Sequence, residues 1–482
     1  AQKRLKFDEL FFLQLHLIKT KIIRNNKFIG YSLSTLGENF NTYYSKHLKF
    51  ELTNAQKRVL KEIRLDVKNN KQMNRLLQGD VGSGKTIVAL LSMLMAVDNG
   101  FQACIMAPTE ILAQQHFATI SEELKEMEIN VDILTGSKKT KARRELVENL
   151  ENGNINLLVG THALLEDYVK FQNLGFVVID EQHRFGVAQR AKLWKKNKFP
   201  PHILVMTATP IPRTLSMTLY GDLDISVIDE LPPGRKLVQT LWRSDSSRLN
   251  ITRFMKEQIS LGRQIYIVFP LIDESAKLDY KNLIEGYDSI SRDFPLPDFQ
   301  VSVVHGQMNS DDKEYEMNRF IAGTTDIMVA TTVIEVGVNV PNASVMIIES
   351  AERFGLSQLH QLRGRVGRGA SQSYCVLMSG NKVSNEGKTR LKTMVDTTDG
   401  FKIAEVDLKL RGPGDMMGTK QSGILDFKIA DIVKDGKILD YARKEAFNLL
   451  EDDFDLLKNK NINIARFYRP YARERMGWSR IS

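Results

Sequence analysis

Residues 75–97 read RLLQGDVGSGKTIVALLSMLMAV: an apolar segment, a glycine-rich turn and a longer apolar segment. The turn fits the pattern G-x-x-x-x-G-K-[ST], in the strand-to-helix context that this pattern requires. Glycines let backbone N–H groups approach phosphate oxygens, and the first turn of the helix adds the positive end of its dipole. The stretch predicts a phosphate-binding loop in an α/β fold, lined by Gly79, Gly82, Ser83 and Gly84.

Four further side chains predict hydrolysis of a nucleotide. In the loop, Lys85 would neutralise the β- and γ-phosphates, and Thr86 would offer a hydroxyl ligand to Mg²⁺. Downstream, the apolar run 176–179 ends in Asp180 and Glu181, and ligands bind at the carboxyl ends of strands in open parallel sheets. Asp180 would hold the hydrated Mg²⁺, and Glu181 would polarise the attacking water.

Strand-like and helix-like segments alternate outward from this loop, and the pattern restarts after Leu231-Pro232-Pro233-Gly234. The strand-like runs are 74–77, 103–107, 157–159, 176–179 and 203–206, then 264–268, 301–304, 327–330, 344–348 and 374–377. Such alternation is typical of parallel sheets covered on both faces. The sequence thus predicts an α/β fold with two tandem parallel-sheet domains. The predicted regions are an N-terminal helical region (1–50), the two sheet domains (51–233 and 234–385) and a mostly helical extension (386–482).

The composition of the chain excludes some classes of protein. The chain has 482 residues, a formal net charge of +9 and two cysteines. No apolar run approaches the roughly 20 residues that cross a bilayer, and two cysteines exclude a disulfide scaffold. Seven basic and two acidic residues in 1–28, with five basic and one acidic in 461–482, account for the net charge. We expect a soluble, cytoplasmic protein without a membrane partner, and a polyanionic partner is indicated.

Several segments occur in the order found in superfamily 2 helicases and translocases, which they resemble. Asp-Glu-Gln-His at 180–183 resembles the DExH signature, and Gln56 lies in a segment similar to the adenine-reading Q motif. The resemblance implies RecA-like domains. It also implies nucleic-acid contact or coupling roles for a set of residues in both domains: Thr109, Gly136, Thr161, His183, Thr207, Thr209, His305, Gly306 and Thr331. Gly337, in the segment similar to motif V, would belong to the nucleotide site.

Residues 361–368, QLRGRVGR, resemble motif VI of the same superfamily. Arg365 and Arg368 are three apart, so on one helical face both could aim at a single phosphate group, and Gln361 would assist catalysis. The second domain has no phosphate loop of its own, so we expect one ATP in a cleft, with these arginines as fingers from the second domain. A finger is worth about 10³–10⁵ in rate, which ties hydrolysis to closure.

Residues 407–423, DLKLRGPGDMMGTKQSG, resemble the translocation motif of the RecG family, which is shared in looser form with Mfd. The resemblance implies that Arg411 and Gln421 couple hydrolysis to movement on duplex DNA, after a helical hairpin. The glycines would let this loop run close to another backbone. RecG proteins also carry an N-terminal wedge domain that would precede Ala1. We therefore expect a truncated form or fragment, with fork recognition in doubt.

The leading hypothesis is a helicase or translocase that uses ATP and Mg²⁺ on duplex and branched DNA. The resemblance implies fork reversal, branch migration of four-way junctions, recombination and repair. The alternatives are an Mfd-like repair translocase, an RNA helicase and an ATP-gated nucleic-acid clamp without motor activity. The chain is expected to be monomeric, and single-stranded-DNA-binding protein is a further candidate partner.

Two basic segments have two interpretations each. Residues 138–144 either contact phosphate or form a solvated helix face paired with Glu145 and Glu148, and we favour the solvated face. The tail around Tyr468 and Tyr471 has a composition that suits base stacking and phosphate contact. Equally, its aromatic residues could pack onto the second sheet domain, which we favour.

Overall fold

The computed structural model describes residues 1–27, 29–136, 140–181, 192–193, 196–219, 223–232, 236–270, 276–331, 340–367, 369, 371–415 and 427–475. The chain forms two units. The first comprises residues 1–79, 84–230 and 411–482, and the second comprises residues 80–83 and 231–410.

The helices and strands up to residue 230 are α1 (Gln2–Lys27), α2 (Glu38–Thr42), α3 (Asn54–Val67), β1 (Asn74–Gly79), α4 (Lys85–Asp98), β2 (Gln102–Met106), α5 (Glu110–Glu123), β3 (Val131–Leu134), α6 (Thr140–Glu151), β4 (Leu157–Gly160), β5 (Leu174–Asp180), β6 (His202–Thr207), α7 (Arg213–Leu219) and β7 (Asp224–Ile228). The remainder are β8 (Gln239–Ser244), α8 (Arg248–Ser260), β9 (Gln264–Val268), α9 (Ala276–Asp293), β10 (Val301–Val304), α10 (Ser310–Ile321), β11 (Ile327–Ala330), β12 (Ala343–Ile348), α11 (Leu356–Arg363), β13 (Tyr374–Ser379), α12 (Asn385–Asp396), α13 (Gly400–Asp415), α14 (Gly436–Asp452) and α15 (Ile462–Arg475).

The first sheet has the strand order β3-β4-β2-β5-β6-β1-β7, and all its pairings are parallel. Its central strands are buried along their length, which is why they were recognisable as continuous apolar runs. Helix α4 is apolar almost all round and buried from Val88 to Ala96, as expected for a helix covered by other elements. This sheet holds the carboxyl ends of β1, β5 and β6 side by side.

The second sheet has the order β10-β11-β9-β12-β13-β8 and is also parallel throughout. Its core lies between strands and helices, with Ile265, Ile267, Leu283 and Val345 buried. The two parallel sheets confirm the predicted α/β fold.

A helical bundle in the first unit joins the two ends of the chain. Leu10 and Leu15 of α1 pack against Leu439 and Ala446 of α14, and Tyr468 of α15 joins the same apolar cluster. The ring centroids of Phe12 and Tyr471 are 6.2 Å apart. The aromatic residues of the tail thus pack on α1. The interpretation that they pack onto the second sheet domain is wrong, because α1 already exposes an apolar, aromatic face to which they are complementary.

His202 at the start of β6 is fully buried and links two segments by hydrogen bonds. Its Nε2 donates to the carbonyl of Tyr31 at 2.7 Å, and its Nδ1 accepts from the backbone N–H of Met73 at 3.0 Å. Burial lowers the pKa of His202 from 6.5 to about 4, because the imidazolium would lose its hydration. The side chain is therefore a neutral structural group at physiological pH.

This arrangement predicts a loss of stability in mild acid. Below pH 6.5 the unfolded chain protonates His202, whereas the folded chain does so only near pH 4. The free energy of unfolding should therefore fall by about 1.4 kcal/mol per pH unit across that window, about 3 kcal/mol in all. Hydrogen exchange of the β1 and β6 amides at pH 7 and pH 5 should show about 2 kcal/mol of this loss in the wild-type chain, the part that falls between pH 6.5 and pH 5. A His202→Gln variant that loses as much would contradict the assignment.

Among the described residues, no helix combines the length and the apolarity needed to cross a bilayer.

Candidate functional site

The phosphate-type loop connects β1 to α4 with the geometry that its sequence predicts. Gly84 is the N-cap of α4 and lies in the left-handed region, with φ 84°. Lys85, at the first position of the helix, is 9% exposed, and its Nζ donates to the carbonyl of Gly79 at 2.7 Å. The lysine is thus held over the loop, and Thr86 follows it in the first turn of the helix.

Gln56 lies against this loop. A capping box fixes it at the start of α3: Thr53 Oγ1 accepts from the N–H of Gln56, and Gln56 Oε1 accepts from the N–H of Thr53 at 2.9 Å. The Nε2 atom of Gln56 occupies the space that a Cβ at Gly84 would need. The structure therefore brings the predicted adenine-reading residue against the loop, while its role in reading adenine stays a prediction.

A pair of glycine substitutions tests this contact. Gly84→Ala and Gly100→Ala place a side chain at similar φ values, 84° and 77°, at the two ends of α4. Both should lower the free energy of unfolding by about 1–2 kcal/mol, the cost of the left-handed conformation. A Cβ at Gly100 meets open space, so only Gly84→Ala should also weaken binding of a fluorescent ATP analogue. Equal binding by the two variants would contradict a role for the loop contact.

Asp180 and Glu181 lie at the carboxyl end of β5. The strand order places β6 between β5 and β1, so Asp180, Thr207 and Gly79 end three neighbouring strands at one edge of the sheet. Glu181 has φ 56°, an uncommon conformation for a residue with a side chain, and it turns the chain immediately after Asp180. Strain of this kind is concentrated at functional sites, which is the prediction for Glu181.

His116 is a neighbour of Asp180 that the sequence analysis missed. It lies on α5, is 7% exposed, and its Nε2 is 2.8 Å from Asp180 Oδ2. The one sequence signal for His116 was its spacing of two helical turns from the predicted site residue Thr109. Such spacing is common in amphipathic helices, so it does not mark a functional residue. The contact orients one oxygen of the carboxylate.

The donor set at this edge fits the predicted Mg²⁺. Mg²⁺ prefers hard oxygen ligands, and it is usually held by one or two protein oxygens together with phosphates and water. The carboxylate of Asp180 and the hydroxyl of Thr86 are such ligands. The part of the chain that the structure describes contains no group of three or more His, Cys, Asp or Glu residues that could hold a metal by itself.

The predicted nucleic-acid residues of the first unit follow the three strands on the other half of the same sheet. Thr109, Gly136 and Thr161 come after β2, β3 and β4, which are neighbours in the order β3-β4-β2. Thr109 Oγ1 caps α5 by accepting from the N–H of Leu112 at 3.4 Å. The side chain of Thr161 is 2% exposed, so any contact it makes with phosphate would require a local rearrangement. Along one edge, the sheet thus separates the residues predicted to bind the nucleotide from those predicted to contact nucleic acid.

The segment similar to motif III is held by its own hydroxyl group. Thr207, 4% exposed, accepts from the N–H of Thr209 at 3.2 Å through Oγ1. Helix α7 begins shortly after it, at Arg213. The hydroxyl of Thr207 therefore fixes the turn that leads to α7.

The basic segment after Gly136 lies partly outside the described residues, since Lys138 and Lys139 are not described. Arg143 on α6 donates from a guanidinium nitrogen to the carbonyl of Gly136 at 2.8 Å. Lys141 and Arg144 are exposed on the same helix. Arg143 therefore braces the loop, and the favoured interpretation of a solvated face stays a prediction for its exposed neighbours.

In the second unit, His305 and Gly306 follow β10, and Thr331 follows the adjacent β11. Lys313 Nζ donates to the carbonyl of Gly306 at 3.0 Å. Burial, together with the charge of Lys313, lowers the pKa of His305. Thr331 is 2% exposed. The predicted residues His183, Gly337, Arg368 and Gln421 lie outside the described residues.

The segment similar to motif VI departs from the prediction in one respect. Helix α11 contains Gln361 but ends at Arg363, so Arg365 lies in the turn beyond it and is 7% exposed. Arg365 therefore lies beyond the helix, and its predicted partner Arg368 lies outside the described residues. The reason is the pair of glycines: Gly364 caps the helix, and Gly367 adopts φ 83°.

Arg363, which the sequence analysis did not single out, anchors this helix. It is 3% exposed and donates to the carbonyls of Met394, Thr397 and Thr398. Its position among apolar residues of a predicted helix is the sequence feature that could have identified Arg363 as a buried arginine.

The segment similar to the translocation motif is described up to Asp415. Arg411 is exposed near the end of α13, immediately before a break at Gly412 with φ 77°. The positive φ of Gly412 is what favours a glycine there, whereas a Cβ would meet no described atom within 4 Å. The close approach predicted for this glycine is thus not observed.

Comparison with known proteins places these motifs in one family. Residues 53–218 match the DEAD/DEAH box helicase family, and residues 250–370 match the helicase conserved C-terminal domain. Residues 397–482 match the C-terminal part of domain 3 of ATP-dependent DNA helicase RecG. The chain is 49% identical over 464 residues to ATP-dependent DNA helicase RecG of Synechocystis sp., an alignment that covers 96% of this chain. The chain belongs to the RecG family.

The similarity covers only part of each RecG relative. The alignments span 55% of the Synechocystis protein and 66% of the Bacillus subtilis RecG, which is 48% identical over 453 residues and covers 94% of this chain. The chain thus spans between about half and two thirds of the length of the curated relatives it matches.

Solved structures agree on the fold. A structure of RecG bound to a three-way DNA junction has a TM-score of 0.74 and 44% identity, covering 91% of this chain and 57% of that chain. Helicase MrfA bound to DNA has a TM-score of 0.56 at 16% identity, covering 77% of this chain and 57% of that chain, which is a likeness of fold alone. The predicted RecA-like helicase fold is confirmed.

Proposed function

We propose that this chain is the ATP-hydrolysing motor of a translocase or helicase that moves on duplex DNA and acts on branched DNA. The observation that carries the proposal is the first sheet: one edge bears the phosphate loop and the Asp180–Glu181 pair after β1 and β5, and the nucleic-acid motifs after β2, β3 and β4. The alignment with the Synechocystis RecG, 49% identical over 96% of this chain, supports the choice of DNA as substrate. Fork reversal and branch migration are the corresponding reactions.

The side chains divide the chemical work. Lys85 would neutralise phosphate charge, and Gln56 would hold the nucleotide against the loop, since Lys85 follows Gly84 in the chain and the amide of Gln56 lies against Gly84. Glu181 would accept the proton of the attacking water, and His116 would keep the Asp180 carboxylate oriented. Asp180 and Thr86 would hold Mg²⁺, which when bound neutralises charge on the phosphate oxygens. Arg365 would add positive charge in the transition state.

The experiment is ATP turnover measured with forked DNA, with plain duplex, with RNA and without nucleic acid. Stimulation by duplex or forked DNA is the expected result, and it should weaken as salt rises, because contacts with phosphate release counterions. Stimulation by RNA alone would contradict the proposal. A rate independent of any nucleic acid would indicate an unregulated ATPase. ATP-dependent DNA binding without turnover would indicate a clamp.

The resemblance to RecG also predicts a monomer, a cytoplasmic location and single-stranded-DNA-binding protein as a further partner. An assay for displacement of a third strand from a triplex distinguishes movement on duplex from unwinding, and only the movement is expected of the motor by itself.

A further inference from the structure

Helix α1 makes polar contacts with two distant parts of the first unit through one buried side chain. Gln14 is 0% exposed, and its Nε2 donates to the carbonyl of Met217 on α7 at 3.4 Å. Its Oε1 accepts from Arg443 of α14 at 2.9 Å. A buried amide is costly unless both ends are paired, so this placement fixes α1 relative to both helices.

The start of α1 holds the chain that follows the segment similar to the translocation motif. The carboxylate of Glu9 accepts the backbone N–H groups of Lys428, Ile429 and Ala430 at 2.9, 3.1 and 2.8 Å. One turn earlier, Lys6 Nζ is 2.8 Å from Asp435 Oδ2. A charged acceptor for three consecutive N–H groups fixes an irregular segment firmly.

The other end of α1 holds the chain that follows the segment similar to motif III. Lys21 Nζ is 2.5 Å from Asp224 Oδ1 at the start of β7, the strand after α7. Helix α1 therefore contacts α7 itself through Gln14, and the strand that follows α7 through Lys21. Helix α1 is 26 residues long, about 39 Å at 1.5 Å per residue. A helix of that length, packed on α14, can carry displacement as a rigid body.

We propose that α1 is a coupling strut between the segment similar to motif III and the segment after the translocation motif. Gln14 connects the strut to α7, and Glu9 connects it to residues 428–430. Both are positioning residues, since neither belongs to the nucleotide site. The inference rests on the proposed function, because a strut has consequences only in a chain that moves on DNA.

The test uses the 482-residue chain and a plain duplex that carries a third strand. The measured quantity is the amount of third strand displaced per ATP hydrolysed. Glu9→Gln keeps the shape of the side chain but replaces one accepting oxygen with an NH₂ group, which cannot accept an N–H. Duplex-stimulated ATP turnover should persist, while displacement per ATP should fall by about two- to thirtyfold, the range found when residues between coupled sites are changed. Loss of folded protein would lower both rates equally and leave the ratio unchanged.

Asp8→Asn is the matched control, because Asp8 is the preceding residue of α1 and pairs with the exposed Arg4. Gln14→Leu, which removes both hydrogen bonds of the buried amide, should lower the ratio as Glu9→Gln does. Ratios equal to wild type in both variants, with duplex-stimulated ATP turnover also at the wild-type level, would overturn the strut. A wild-type chain without duplex stimulation would instead overturn the proposed function.

Discussion

Glu181→Gln is expected to lower ATP turnover by about 10²- to 10⁴-fold, the usual contribution of a general base. The glutamine has the same shape but cannot take a proton from water at neutral pH. Glu181 directly follows Asp180, the last residue of β5, and its backbone has an uncommon positive φ of 56°. Since the change leaves Lys85 and Asp180 in place, affinity for ATP should be retained.

Separate measurements of binding and turnover check this expectation. Binding of a fluorescent ATP analogue should match that of the wild-type chain, while steady-state hydrolysis collapses. Glu128→Gln is the control, because Glu128 is exposed in the turn between α5 and β3 of the same unit. A Glu181→Gln variant that hydrolyses ATP within about tenfold of wild type would show that another group serves as the base.

Arg365→Ala is expected to have an effect at least as large, about 10³- to 10⁵-fold on turnover. Its guanidinium would meet charge that develops on the phosphoryl group in the transition state, so the loss should appear in kcat more than in KM. Arg365→Lys should recover part of the rate, because lysine keeps the charge but not the planar fork of donors.

Arg365 is 7% exposed, so stability must be followed beside activity. Melting curves of the alanine and lysine variants distinguish a folding defect from a catalytic one. Arg253→Ala, an exposed arginine on α8 of the same unit, should leave kcat unchanged. Full activity in folded Arg365→Ala would remove this residue from the catalytic group.

Sequence predicted the strands that lie inside each sheet and the edge strand β10, and it missed the other three edge strands. Strands such as β5 and β12 are buried on both faces, so each is a continuous apolar run. By contrast, β3, β7 and β8 are edge strands with mixed burial, and no apolar run marks them. A continuous apolar run in the sequence marks a strand that is buried on both faces. These three strands are only partly buried, so their sequences carry no such run.

The candidate site shows the same division between local and tertiary information. The phosphate loop and the Asp180–Glu181 pair are contiguous motifs whose spacing carries their chemistry. His116 reaches Asp180 from another helix, and that proximity depends on how α5 packs on the sheet. The end of α11 before Arg365 could have been read from Gly364 and Gly367, but the regular spacing of the arginines favoured a continuous helix.

The packing of α15 on α1 has an electrical consequence. The net positive charge of the sequence is divided between its two ends, yet Lys3 and Arg4 of α1 and Arg466 and Arg469 of α15 belong to one bundle and are exposed there. A body whose net charge is concentrated at one bundle experiences a torque, as well as an attraction, in the field of a polyanion. During approach the bundle would therefore turn toward the polyanion before any specific contact forms, and added salt would shorten the distance over which this alignment acts.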